Sequence, residues 1–489
     1  MTEPAVTLSI LRDTLAFAKR QGCSLYVVGG CVRDALLGRT SPPTNIDLAI
    51  LRGALQTAQA LATQLGGTSV CLDEEAGSAR VVLTRQAQRV ELDLSDFRGP
   101  TLEEDLRRRD FTINAMALPL ETWCAQGPWQ QAIIDPLNGR HDLAERRLRA
   151  CFPETFLEDP VRILRAFRFA VELDMVCEPA LLPLMAGAVA RLSTVAGERI
   201  RDELCAILAT DRAAWALQEL NVLGGLDVLV PELTPGRGVE QGGYHHLDVL
   251  HHQLEAVAQC DRMLSDLAEF SPDLREPLAD YCQALLVEKR SRKVLVKLAA
   301  LVHDVGKPAT RRVKSDGEIW FIGHEHFGAS LMETLVERLR LSNREGQTLY
   351  RLVLYHLRPG HLSREAQLTR RAIFRFFRDL DEDGPACLLM WWADRMATRG
   401  PASRLDQIDQ QRARMEELLR AYFFKAEEVI RPPRLLDGNQ LMAALGMKPG
   451  PLVGRLLRGI EEAQAEGHVR SHAEALALAR ELLTAPDVR

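Results

Sequence analysis

Two adjacent glycines at the end of a short apolar run, followed by an Asn-x-Asp, constrain this chain more than any other feature. The run is Val27-Val28-Gly29-Gly30-Cys31-Val32-Arg33-Asp34-Ala35-Leu36-Leu37-Gly38, and Asn45-Ile46-Asp47-Leu48-Ala49 comes soon after. The pattern predicts a buried strand from Leu25 to Val28, a glycine turn, a short helix and a second strand with a carboxylate at its start. Without Cβ atoms the backbone can approach a polyphosphate, and N–H groups at a helix start offer it donors. Asp47 can then hold the metal ion that such a ligand brings, with Asn45 adding at most an amide oxygen.

Alternation predicts further strands at Ser69–Leu72, Ala79–Leu83 and Arg89–Asp93. Helices at Thr7–Lys19 and Ala54–Leu65 would cover one face of the resulting small mixed sheet. Asp93 on a strand beside Asp47 suits two-metal phosphoryl transfer, with Glu91 and Asp96 as nearby alternatives. The stretch Arg107-Arg108-Arg109-Asp110-Phe111-Thr112-Ile113-Asn114-Ala115 sets cations beside an acid, a composition that neutralises a triphosphate; Arg109, Asp110 and Asn114 are its candidate residues. In Glu158-Asp159-Pro160-Val161-Arg162-Ile163-Leu164-Arg165, Asp159 and Arg162 share a helix face. They offer an acceptor beside a fork of donors. Cytosine and adenine both expose an amino group beside an unprotonated ring nitrogen, whereas uracil and guanine expose a carbonyl beside an N–H. The Asp159–Arg162 face can therefore take C and A and refuse U and G without a nucleic-acid template.

Pro231–Gly243 is rich in Pro, Gly and polar residues and is predicted as a linker. Beyond it, His252, His303-Asp304, His324, His356 and Asp394 form an ordered set on or beside predicted helices. Their donors suit Mg, Mn, Ni or Zn, and His251 competes with His252 as the first ligand.

The Gly29-Gly30-x-Val32-Arg33-Asp34-x-Leu36-Leu37-Gly38 stretch resembles the opening motif of class II tRNA nucleotidyltransferases, the CCA-adding enzymes and bacterial poly(A) polymerases. Further matches follow in order: an RRDFTxNA motif at Arg108–Ala115, a hinge motif at Asp135-Pro136-x-x-Gly139, an EDxxR motif at Glu158–Arg162 and a neck motif at Gly197-Glu198-Arg199. Leu301–Lys307 with Gly323-His324-Glu325 resembles an HD phosphohydrolase, and the segment around Lys448-Pro449-Gly450-Pro451 resembles the family's tail. The resemblance implies an α+β, polymerase-β-like head (1–150), an all-α neck (151–232), an all-α HD domain (244–400) and a helical tRNA-binding tail (425–489).

It implies that Asp47, Asp93 and Asn45 are the catalytic residues and Mg2+ ligands of the head. It assigns nucleotide binding to Gly29, Gly30, Arg33, Asp34, Arg109, Asp110, Asn114, Glu158, Asp159, Arg162 and Arg165. A divalent metal of unknown identity would be held by His252, His303, Asp304, His324, His356 and Asp394. The partners would be tRNA with CTP or ATP.

Two departures shape the expectation. Most members have Asp where Asn45 stands, so transfer is expected to be impaired and restored by Asn45→Asp. This departure keeps open a metal phosphohydrolase or RNA-binding protein with an impaired transferase site. Second, only Gly99-Pro100-Thr101 joins Phe97-Arg98 to Leu102-Glu103-Glu104-Asp105-Leu106, where many members carry a flexible loop that helps the switch from C to A. A CC-adding enzyme working with a separate A-adding enzyme is therefore favoured over a complete CCA-adding enzyme or a poly(A) polymerase.

The formal charge of −6 argues against indiscriminate coating of nucleic acid, leaving local basic surfaces around Arg107–Arg109 and Arg140–Arg168 to meet RNA. Ten cysteines without a CxxC pair point to reduced thiols and away from a thiolate zinc site. No apolar run approaches the roughly 20 residues that span a bilayer, and no signal peptide opens the chain. A cytoplasmic protein without a membrane partner is expected. Nothing in the sequence sets an oligomeric state.

Overall fold

The structure, a computed structural model, describes residues 3–39, 45–125, 127–287 and 290–484. It contains two compact units, Met1–Val195 and Ala196–Arg489. The first begins with α1 (Glu3–Gln21), β1 (Tyr26–Val28), α2 (Gly30–Leu36), β2 (Asn45–Ile50) and α3 (Ala54–Leu65). β3 (Thr68–Asp73), β4 (Ser78–Arg85), β5 (Gln88–Asp96), α4 (Leu102–Arg107) and β6 (Ala117–Pro119) follow.

The strands form one mixed sheet in the order β3-β4-β5-β2-β1-β6. β2 and β5 run parallel and the other pairs antiparallel. Period-2 alternation sends Ile46, Leu48, Val81, Leu83, Val90, Leu92 and Leu94 to one buried face, against which α3 packs. Asp47, Asp93 and Arg80 are left on the other. The β4–β5 hairpin closes through Gln86 and Ala87 at φ +52° and +62°. That left-handed pair is the geometry a two-residue hairpin needs, formed without the Gly or Asn that usually signals it. The helices Thr155–Glu158 and Arg162–Glu172 also belong to this unit, so the helices expected as one neck are shared between the two units.

Among its described residues the second unit is helical apart from loops and two short ribbons, Leu285–Val287 with Arg290–Ser291 and Arg312–Val313 with Ile319–Trp320. Helices Val249–Asp266, Arg292–Val302 and Gly384–Ala397 pack on one another and bury Leu254, Val257, Leu298, Leu301 and Leu388. The segment expected as a linker is packed instead. Pro231–Gly236 is a 3-10 helix with Leu233 buried, and Gln241 accepts a hydrogen bond from Lys307 Nζ at 2.7 Å. The helix Ile408–Phe424 starts only beyond a stretch in which Gly400 and Ala402 donate to the carbonyls of Tyr244 (2.8 Å) and Gly243 (2.9 Å). Helices Gly438–Leu445, Pro451–Glu466 and His472–Thr484 close around Leu441, Leu456 and Ile460. All ten cysteines are free thiols, and no helix among the described residues is long and apolar enough to cross a membrane.

Candidate active and metal sites

Strand register builds the first site. Asp47 lies opposite Asp93 across the parallel pair, and Asp93 lies opposite Arg80 across β4–β5. The three side chains thus stand in one row on the face away from the apolar core. Gly29, which caps α2, turns toward this row at φ +71°; a Cβ there would meet Arg109 Nη1 at 3.4 Å and Asp47 Oδ2 at 3.5 Å. A side chain at 29 would therefore stand between the turn and the acid, besides straining the left-handed backbone. Burial pushes the Asp47 carboxyl up, with Arg109 opposing and Asp93 assisting.

The row is partly neutralised from within. Arg80 donates to both oxygens of Asp93, Nε to Oδ1 at 2.7 Å and Nη2 to Oδ2 at 2.8 Å, and pairs with Glu91 at 2.9 Å. Asn45 Nδ2 points at Asp93 Oδ2, 3.3 Å away. Asp47 and Asp93 present carboxylate oxygens suited to a hard divalent cation, while Asn45 adds only a neutral carbonyl oxygen. Of the alternatives, Glu91 is taken up by Arg80 and Arg89, and Asp96 accepts from the Ala54 N–H at 2.7 Å at the start of α3.

Behind the row runs a buried hydrogen-bond chain. Arg33 Nη1 donates to Asn114 Oδ1 (2.7 Å), Asn114 Nδ2 to Asp110 Oδ1 (3.2 Å), and Arg165 to Asp110 Oδ2 through Nε (2.9 Å) and Nη2 (2.7 Å). Burial works to raise the Asp110 carboxyl, but Arg165, the Phe111 N–H and Asn114 outweigh it and hold it down at about 2. Asp34 pairs with Arg33 at 2.9 Å, and Arg109 with Asp105 at 3.0 Å. Arg162 is buried, donating to Thr155 Oγ1 at 2.8 Å; Asp159 and Glu158 stand 3.9 and 4.0 Å from it. The structure therefore gathers every residue named for nucleotide binding into one unit.

The second cluster lies among the helices of unit 2. His252 is on Val249–Asp266, His303 and Asp304 follow Arg292–Val302, and His324 opens His324–Arg338. His356 follows Asn343–Tyr355, and Asp394 is on Gly384–Ala397. Two groups of potential ligands, His252-His303-Asp304 and Asp304-His324-His356, share Asp304. Asp394 completes the ring at 2.9 Å from His252 and 3.6 Å from His303. The Nδ1 atoms of His303, His324 and His356 each lie 2.7–2.9 Å from the carbonyl oxygen three residues back, at Ala300, Phe321 and Val353. A carbonyl only accepts, so each Nδ1 carries a proton and each Nε2 is the ring atom turned inward, the one open to a cation once it is unprotonated.

His303 Nε2 and both Asp304 oxygens are buried without a hydrogen bond of acceptable geometry, although Lys307 Nζ approaches Asp304 Oδ2 to 2.6 Å. His324 Nε2 and His356 Nε2 face one another at 3.1 Å. Unpaired acceptors converging in a buried pocket are costly unless a cation joins them, so this set fits a divalent metal. Gly306 lets the turn after Asp304 close, since a Cβ there would fall 2.1 Å from the His324 carbonyl oxygen. His251, the competing ligand, points outward and pairs with Asp248 at 2.8 Å.

Sequence reasoning missed Arg80, Thr155, Lys307 and His245. The His245 ring meets that of His252 edge-on, 4.5 Å between centroids, and burial together with Lys307 and His252 pushes it down to about 3. The neighbouring His245-His246 pair was its one signal in the sequence.

Residues 25–149 match the poly A polymerase head domain, 249–382 the HD domain and 338–479 tRNA nucleotidyltransferase domain 2. The chain is 38% identical over 458 residues to the A-adding tRNA nucleotidyltransferase of Deinococcus radiodurans, covering 92% of this chain and 94% of that one. It is 34% identical over 464 residues to the CC-adding tRNA nucleotidyltransferase of Thermus thermophilus, covering 92% of each. Among solved structures, the Thermotoga maritima CCA-adding enzyme complexed with tRNA shares the fold, with a TM-score of 0.60 at 20% identity, covering 99% of this chain and 96% of that one.

Proposed function

Because the chain belongs to the class II tRNA nucleotidyltransferases that carry an HD domain, we propose that it adds cytidines, two in succession, to the 3′ end of tRNA from CTP. The 3′-hydroxyl attacks the α-phosphate, a new P–O bond forms and pyrophosphate leaves. The observation that carries the transferase reading is the register of Asp47 against Asp93, with Gly29 and Arg109 facing it. Gly29 and Gly30 admit the triphosphate, Arg109 and Arg33 offset its charge, and Asp159 with Arg162 selects the base. Mg2+ at Asp47 and Asp93 would supply charge stabilisation at the phosphates.

The CC product is supported by the connection between β5 and α4. Arg98 N donates to Asp105 Oδ1 (3.1 Å), Arg98 Nη1 donates to the Arg108 carbonyl (3.0 Å), and Thr101 caps α4. Asp159 is extended between the helices Thr155–Glu158 and Arg162–Glu172 rather than on one helix face with Arg162 as expected, and a turn pinned at both ends cannot swing over to re-aim the two for the larger adenine. A second reading, addition of A alone, is favoured by the 38% identity to an A-adding enzyme. The test offers an Asn45→Asp form two tRNAs, one lacking the whole CCA end and one ending in CC, with CTP and ATP. Two cytidines on the first and nothing on the second is the expected result. Adenosine on the second tRNA alone would establish the other reading, and completion to CCA would overturn both. In the HD domain, the buried cluster supports metal-dependent hydrolysis of phosphate monoesters or 2′,3′-cyclic phosphates, the metal being unidentified.

A further inference from the structure

Arg162 makes its hydrogen bonds to a residue outside the EDxxR pattern. Its Nη1 donates to Thr155 Oγ1 at 2.8 Å and, more weakly, to the Thr155 carbonyl at 3.3 Å. Its separation from Asp159 Oδ2, 3.9 Å at Nε, is too long for a hydrogen bond. The guanidinium also lies 5.7 Å from the Phe152 ring centroid, and 7% of the side chain is exposed. One corner of the fork is thereby fastened, while Nε keeps the side toward Asp159. Thr155 is itself completely buried. Its hydroxyl has one proton to give, and the acceptor in reach is the Asp110 carbonyl oxygen at 3.4 Å. Asp110 is the residue that Asn114 and Arg165 grip by its side chain.

We propose that Thr155 is the positioning residue for base choice: its hydroxyl sets how far Arg162 reaches toward the incoming base and ties that reach to the Asp110–Asn114–Arg33 chain behind the phosphates. A guanidinium on a flexible stem loses rotamer freedom when it meets a base edge. Anchoring Nη1 beforehand lowers that cost and aims the remaining donors at a ring-nitrogen acceptor. Uracil and guanine place an N–H there, so a fixed Arg162 meets them donor to donor, whereas a loose one can turn aside and admit them. The hydroxyl thus acts on refusal of the wrong base as much as on grip of the right one.

This inference rests on reading Asp159 and Arg162 as the base-selecting face, and the experiment separates the two. Dissociation constants for CTP and UTP are measured on the full chain, which needs no turnover. Thr155→Val keeps the shape and removes the hydroxyl; the CTP preference over UTP is expected to fall about tenfold or more, a charged hydrogen bond's worth, while Thr155→Ser retains it. Should the valine variant not fold, Thr155→Ala is read in the same way. Arg162→Ala is expected to lose at least as much preference. An unchanged preference in Arg162→Ala overturns the base-selecting face and the inference with it. If Arg162→Ala relaxes choice but Thr155→Val weakens both nucleotides equally, Thr155 has only a structural role and the inference alone is overturned.

Discussion

The head and the HD cluster use related donors in different states of completion. In the head, Asp93 already carries Arg80 on both oxygens and Asn45 supplies no charge, so Asp47 is left as the one carboxylate of the row without a guanidinium bonded to it in this way. In the HD domain, Asp304 and His303 are buried with atoms that lack a well-formed hydrogen bond, Lys307 is the cation beside Asp304, and three imidazoles are fixed by backbone carbonyls. That cavity is arranged around a cation before any substrate comes. The head's row rests on strands joined edge to edge, whereas the HD cluster is drawn from five helices.

The sharpest way to break this contrast is to give the head its missing charge. Asn45→Asp is expected to raise transfer of labelled CMP onto tRNA by several orders of magnitude while the CTP dissociation constant hardly changes. A chain that already transfers at full speed as it stands would show that Asp47 and Asp93 suffice. Next comes removal of the shared ligand. Asp304→Ala should abolish cation retention, read by elemental analysis after desalting, together with phosphohydrolysis, and leave nucleotide addition intact. Hydrolysis by the metal-free variant would refute the metal reading.

The smallest effect lies in the head's acid stability. Asp110 is held at about 2 when folded, below the roughly 3.9 of an unfolded aspartate. It therefore stabilises the fold above pH 3.9 or so, by about 2.6 kcal/mol, and that contribution fades as pH falls toward 2. In Arg165→Met the stability from urea unfolding should fall above about pH 3.9 and its decline between about pH 4 and 2 should flatten; a decline as steep as before would deny Arg165 its part in holding Asp110 ionised.

Local pattern made much of this legible. Alternation placed Asp47 and Asp93 on strands, and helical spacing placed His252, His303 and His356 beside helices. The strand pairing that sets Arg80 on Asp93 is a contact between neighbouring strands whose register no single segment encodes. His251 and His252 were equivalent until the helix direction was known: Asp248 at the cap draws one outward, and the next residue, about 100° around the helix, faces the core. Thr155 carried no signal because a buried hydroxyl looks like any other threonine until its partners are seen. The packed segment after Pro231 was misjudged because proline and glycine mark a bend whether or not the bend is buried.

The separation of the ligands along the chain has a consequence for how the protein comes into being. His252 and Asp394 touch across 142 positions, whereas every residue proposed for the transferase site lies within the first 195-residue unit. On a ribosome, where domains form in order of emergence at about 5–20 residues per second, the head can close on the order of ten to forty seconds before Asp394 is made. The newborn protein thus passes through a stage in which the residues proposed for the nucleotide are in place and the histidine–aspartate cluster is still unfinished.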